Sequence, residues 1–393
     1  MTRPNRNSYD GPALFSYGFR PFFLAASLFA IAAILIWMLA LEGELELGGP
    51  FSPSDWHSHE MLFGYASAVI AGFLFTAIPN WTGRMPKQGR PLVLLLVLWI
   101  AGRLACAGLF GLGAVPVMLL DSGFLAAIVA MVIVEIIAGR NWRNLMVVVP
   151  VLLLFVANLG FHLEALAFGG ADIGRRLGLA VVIFLVTLIG GRIIPSFTRN
   201  WLVKRSPAHL PVPASRFDAV CLVVGAAALL AWAFHPHDGP VGGLLLAAAA
   251  LHFIRLTRWQ GSRTGASPLL LILHVAYGFV PLGLAATAAA SVDLLPVAAG
   301  VHLLGIGAIG GMTISVMMRA SLGHTGHALV AGPVLTAAAA MVFLAALIRV
   351  LAPDMSFSGV SGLWIAALLW AAGFSVFALR IGPYLARTRR KPT

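Results

Sequence analysis

Charge is scarce in this chain. Only 10% of its 393 residues are Asp, Glu, Lys or Arg, against roughly a quarter in ordinary soluble domains. With 60% apolar residues beside that figure, a water-exposed globular domain is excluded and an integral membrane protein is indicated. Acidic residues are the rarer sign, 14 against 26 basic ones, for a formal charge of +12. A nucleic-acid groove does not explain the excess, because the basic residues lie in short loops between apolar runs, where they act as topology signals. Cysteine is nearly absent. Cys106 and Cys221 each stand alone inside an apolar run, with no C-x-x-C spacing, so neither disulfides nor thiolate metal sites are expected. Long loops are missing too, which leaves no room for a soluble domain or a Walker loop. The chain is therefore read as one integral membrane domain over residues 1–393. No small-x-small cleavage site follows the first apolar run, so that run is read as a retained spanning helix.

What is present is a series of apolar runs. A bilayer core about 30 Å thick needs about 20 apolar helical residues. Twelve runs of that kind are found, at 18–41, 57–79, 91–112, 116–138, 144–168, 175–195, 217–234, 240–256, 268–290, 294–318, 329–351 and 360–381. Loop charge tests the count independently through the positive-inside rule. With the N-terminus in the cytoplasm, Arg20, Arg84, Lys87, Arg140, Arg199, Arg255, Arg319 and the basic C-terminus share one side. Glu42, Glu44, Asp55, Asp121, Asp172, Asp238 and Asp293 share the other, and only Arg175, Arg176 and Arg349 break the pattern. Both termini are accordingly expected in the cytoplasm.

The expected fold is all-α, a polytopic membrane protein of twelve transmembrane helices. Ile78-Pro79-Asn80-Trp81-Thr82-Gly83-Arg84 is echoed by Ile194-Pro195-Ser196-Phe197-Thr198-Arg199, and more weakly by Ile314 to Arg319. A four-helix period would make three four-helix units with a pseudo-threefold arrangement. The competing explanation is that Pro and basic residues simply mark cytoplasmic helix ends.

Of eleven histidines, His59, His162, His252, His274 and His302 fall inside the runs, where an ionisable side chain is a functional candidate by default. A neutral imidazole binds haem iron or copper without burying a charge, although any single one serves equally as a hydrogen-bonded packing residue. Five together favour metal. At 1.5 Å of rise per residue, His59, His162 and His302 share the outer third, while His252 and His274 lie near inner ends with His324 and His327 in the following loop. Gly305 stands three residues after His302, so a flat macrocycle can approach the backbone beside that imidazole. Gly307-x-x-x-Gly311 fits plain helix packing equally well. His57-Ser58-His59-Glu60 is not a zincin motif, because its histidines at i and i+2 point about 200° apart on a helix. Arg103 inside the third run needs a partner, either a propionate or an acidic side chain.

The stretches Gly18-Phe19-Arg20-Pro21-Phe22-Phe23, Trp56-His57-Ser58-His59-Glu60-Met61, Ile78 to Gly83, Gly307 to Thr313 and Arg319 to Gly326 resemble the NnrS family. Leu273-His274-Val275-Ala276-Tyr277-Gly278 and Arg192-Ile193-Ile194-Pro195 are similar to family segments as well, and the likeness covers nearly the whole chain. His327 departs from it, standing where Arg is expected. The resemblance implies a bacterial inner-membrane protein containing haem and copper, associated with denitrification and resistance to nitric oxide, and it adds Arg20 to the residues of interest. It supplies no agreed reaction or ligand set.

Three functions compete: a haem-copper redox enzyme acting on nitric oxide or its metal adducts with an electron donor still to be identified, a haem-based sensor without turnover, and a transporter. Transporter repeats are usually six plus six, whereas the echo here has a four-helix step. Haem-copper oxidases offer an analogy at fold level only, and their adjacent His-His pair is missing from the seventh run. The expected haem ligands are His59 and His302. Copper is assigned either to His57 with His162 in the outer third or to His274 with His324 at the inner side.

Overall fold

A computed structural model describes residues 9–140, 142, 147–205 and 208–388. Arg389, Arg390 and Lys391 of the basic C-terminus lie outside the described residues. Among those described there are twelve long helices: α1 Phe19–Leu41, α2 Pro53–Thr82, α3 Arg90–Cys106, α4 Ala114–Ala138, α5 Val148–Phe168, α6 Asp172–Leu202, α7 Arg216–Phe234, α8 Gly239–Thr257, α9 Pro268–Ala290, α10 Val297–Thr325, α11 Gly332–Leu351 and α12 Gly362–Ala386. Eleven are long and apolar enough to cross a bilayer. The twelfth, α3, has 17 residues, enough for about 25 Å of helix. The protein is an all-α polytopic membrane protein. Leu94, Leu119 and Phe168 are 69%, 64% and 84% exposed, a surface that water would penalise and lipid does not.

Local chemistry explains where the helices depart from the apolar runs. α2 begins ahead of its run because the Ser52 side chain accepts from the Asp55 N–H and Pro53 sits in the first turn, where its missing N–H costs nothing. α3 stops early at Cys106, followed by Gly108 at φ +84°, a conformation that favours glycine. α6 runs through Pro195 to Leu202, since a proline removes a single intrahelical bond and bilayer helices tolerate it. Two helices contain π-helical segments, Glu60–Tyr65 in α2 and Leu303–Gly310 in α10. Each follows a histidine, His59 or His302, that the sequence marks as a candidate ligand.

The chain divides into two compact units. The first comprises Met1–Arg175, Ala320–His327 and Ala378–Thr393, and the second Arg176–Arg319 and Ala328–Phe377. These limits do not follow multiples of four helices.

Within the first unit Arg20 is 4% exposed. Its Nη1 donates to the Leu385 and Arg387 carbonyls at 2.8 and 2.6 Å, closing carbonyls that the end of α12 leaves without helical donors. Arg20 is thus a buried helix cap and not a loop charge. Glu135 accepts from Arg84 and Lys87 at 2.7 Å each. In the second unit Arg255, also counted with the inner loop charges, is 2% exposed and pairs with Asp218 at 2.9 Å.

Candidate metal centre

The first unit gathers its polar side chains from four consecutive helices. α2 supplies His59 and Glu60, α3 supplies Arg103 and Cys106, α4 supplies Asp121 and Ser122, and α5 supplies Asn158 and His162; all are buried. Polar groups at membrane depth must find partners among themselves, and these do. His59 Nδ1 meets Glu60 Oε1 at 2.9 Å and its Nε2 meets Asn158 Oδ1 at 2.9 Å. Asn158 in turn donates to Asp121 Oδ2 at 2.8 Å. Arg103 Nη1 donates to both Glu60 oxygens at 2.8 Å, and its Nη2 pairs with Asp121. His162 Nε2 lies 2.9 Å from Asp121 Oδ2.

The π-segment shapes this centre. Widening the helix frees carbonyls from their regular partners; here the Trp99 indole N–H takes the Gly64 carbonyl at 3.0 Å, and the Ser67 hydroxyl bonds both Gly64 and Phe63. A Cβ at Gly64 would lie 2.6 Å from Arg103 Nη1, so glycine there lets the guanidinium reach Glu60. Phe51, Phe63 and Phe161 wall the His59 ring at centroid distances of 4.8, 5.3 and 5.2 Å, which excludes water and strengthens every charge interaction inside.

Two imidazoles, a thiol and a carboxylate can converge on one ion. Ligand atoms of His59, Cys106, Asp121 and His162 all lie within 4.8 Å of one another. Charge points the same way. Glu60 and Asp121 face a single guanidinium, that of Arg103, so with neutral imidazoles and thiol one negative charge is left over. A buried unbalanced charge is costly; a bound cation, or a proton on His59, removes it.

The structure brings some expected residues together and not others. His59 and His162 meet, with ring centroids 5.0 Å apart. His57, the expected partner of His162, stacks on Trp37 at 4.1 Å. Arg103 finds acidic side chains, one of the two partners expected for it. His302 lies in the second unit, half-buried, with Nδ1 held by the Ala298 carbonyl at 2.7 Å. A Cβ at Gly305 would meet nothing within 4 Å, so the backbone beside His302 is open. His274, in the second unit, bonds the Leu270 carbonyl at 3.0 Å and Thr198 at 3.4 Å. His324 belongs to the first unit and packs on the rings of Tyr17 and Phe19 at 5.9 and 5.4 Å.

Sequence reasoning missed Glu60, Cys106, Asp121 and Asn158. Asp121 reads from the sequence as an outer-loop charge, whereas it is 2% exposed inside α4. Spacing sets Cys106 aside as a ligand because its partners come from other helices. One signal was available: Cys106 lies three residues from Arg103, so the two share a helix face.

A family model described as NnrS protein matches residues 13–389, nearly the whole chain. No curated protein matches it.

Proposed function

Because the chain belongs to the NnrS family, membrane proteins of the nitric oxide response, we propose that it protects against nitric oxide by redox chemistry on the gas or its metal adducts, at a copper centre in the first unit. The observation that carries this is the buried His59, Cys106, Asp121 and His162 donor set. Nitrogen and sulfur donors suit copper better than magnesium or calcium, and the leftover negative charge suits a cation of low charge. His59 and His162 would hold the ion through imidazole, Cys106 through sulfur and Asp121 through oxygen. Copper supplies a one-electron couple. The chain's own groups do the rest: Arg103 holds both carboxylates in place, Glu60 fixes the His59 ring through Nδ1 and leaves Nε2 to face the ion, and the phenylalanines keep water out. Nitric oxide is small and apolar, so it reaches such a site from lipid without a polar channel. Such a membrane is the bacterial inner membrane, with both termini cytoplasmic.

For haem, His302 is the better-fitted of the two expected ligands. Its Nδ1 is tied to a carbonyl, which leaves Nε2 as the donor nitrogen, and the space at Gly305 admits a flat group. His59 lies instead with Cys106, Asp121 and His162 in the donor set of the first unit, so it is assigned to copper.

The test is nitric oxide consumption by purified protein with and without an electron donor. Donor-dependent loss of the gas that disappears in Cys106→Ser and His162→Ala supports the proposal. Stoichiometric binding without donor-dependent turnover would overturn it in favour of a sensor.

A further inference from the structure

The second unit holds another buried polar cluster, which the copper proposal does not use. Tyr277, His252 and Arg255 are 0%, 1% and 2% exposed. The Tyr277 hydroxyl lies 2.8 Å from His252 Nδ1 and accepts from Arg255 Nη1 at 3.0 Å. Arg255 is anchored by Asp218 at 2.9 Å and by the Thr187 carbonyl at 3.0 Å. Because the Tyr277 oxygen already accepts from Arg255, its own O–H is left to donate to His252 Nδ1, which then carries the lone pair.

The surrounding helices are cut to fit this cluster. A Cβ at Gly191 would fall on the Arg255 guanidinium, one at Gly225 would lie 2.8 Å from His252 Nε2, and one at Gly190 would lie 3.2 Å from the Tyr277 ring. The Trp259 ring meets that of Tyr277 edge to face at 4.6 Å.

We infer that Tyr277 is a redox-active tyrosine, with His252 as the acceptor of its proton. A phenol loses an electron readily only if its proton has somewhere to go, and a basic nitrogen at hydrogen-bond distance supplies the place. The step balances as follows. The Tyr277 O–H bond breaks, an N–H bond forms at His252 Nδ1, and one electron leaves for a lipid-soluble one-electron oxidant of the nitrogen oxide class. Nitrogen dioxide, formed from nitric oxide and oxygen, is such an oxidant and leaves as nitrite. The tyrosyl radical and the imidazolium remain. Trp259 offers the adjacent aromatic contact through which the electron departs or is restored. None of this depends on copper or haem.

The test uses purified full-length protein in lipid nanodiscs, stripped of metal by chelation. It is exposed to nitrogen dioxide and, separately, to flash-generated trivalent ruthenium tris-bipyridyl, then freeze-quenched for electron paramagnetic resonance. A radical signal that narrows when the protein carries ring-deuterated tyrosine is expected in the wild type and in Tyr65→Phe, a control at a buried tyrosine of the other unit. The signal is expected to be lost in Tyr277→Phe and in His252→Gln, which keeps the phenol but removes the base. A wild-type signal in either of these two, or its loss in Tyr65→Phe, would overturn the inference. Should Tyr277→Phe fail to fold, His252→Gln alone decides. Because the protein is metal-free, failure here leaves the copper proposal standing, and the reverse also holds.

Discussion

One carboxylate oxygen, Asp121 Oδ2, lies 3.2 Å from His59 Nε2 and 2.9 Å from His162 Nε2. A single carboxylate oxygen between two imidazoles on different helices ties α2, α4 and α5 at one point. The same three groups, with Cys106, form the ligand set of the proposed copper site.

Removing Arg103 tests the charge balance. Arg103→Met leaves Glu60 and Asp121 facing each other without a cation, and loss of one partner from a buried ionic network costs about 3–5 kcal/mol. The detergent-solubilised variant is expected to unfold at a clearly lower temperature than wild type. Adding Asp121→Asn to Arg103→Met removes one of the two uncompensated charges, returns the site to its wild-type net charge and is expected to recover part of the loss. If Arg103→Met melts with the wild type, the network does not hold the unit together.

Copper content separates the ligand assignments. His162→Ala and Cys106→Ser are expected to lose most of the metal measured per mole of purified protein. His57→Ala is expected to keep it, since that ring stacks on Trp37. The His274→Ala plus His324→Ala variant is also expected to keep it, since neither residue belongs to the His59, Cys106, Asp121 and His162 donor set. Full occupancy in Cys106→Ser together with loss in His57→Ala would reinstate the outer pair His57 and His162.

Gly305 separates packing from ligand space. With nothing within 4 Å of its Cβ position, Gly305→Ala is expected to leave the melting temperature unchanged. Gly305→Phe fills the space beside His302 and is expected to lower the haem absorbance per mole of protein while the protein still melts cooperatively. Wild-type haem in Gly305→Phe would remove that space from the haem site. By contrast, Gly307→Ala drives a Cβ into the Phe279 ring and is expected to cost about 1–3 kcal/mol by overpacking.

The proposed orientation rests on the even helix count, which puts both termini on one side, and on the loop charge, which makes that side the cytoplasm; reporter fusions check both. A fusion after α12 and one at the N-terminus are expected to report the cytoplasm, and fusions near Glu44 and Asp238 the opposite side. A fusion after α12 that reports the outer side would mean that α3, the shortest helix, does not cross.

Hydropathy is a sum over neighbouring residues, so the sequence by itself determined the all-α class, the twelve helices and their approximate limits. The motifs around His59 and His302 were legible for the same reason, as contiguous residues. What lay beyond it was register between helices, which depends on how side chains distant in the chain pack. His57 and His59 stand two residues apart, yet one ring stacks on Trp37 and the other enters a buried ionic network. Asp121 has the look of an outer-loop charge, and only the packing of α4 against its neighbours buries it beside Arg103 and His162. Arg20 and Arg255 carry the same charge as the loop residues that orient the chain, but one caps the end of α12 and the other holds Asp218 and Tyr277. Tertiary structure decided these roles because an ionisable group inside a bilayer takes its function from the partner that neutralises it, and Arg20, Asp121 and Arg255 each find that partner on another helix.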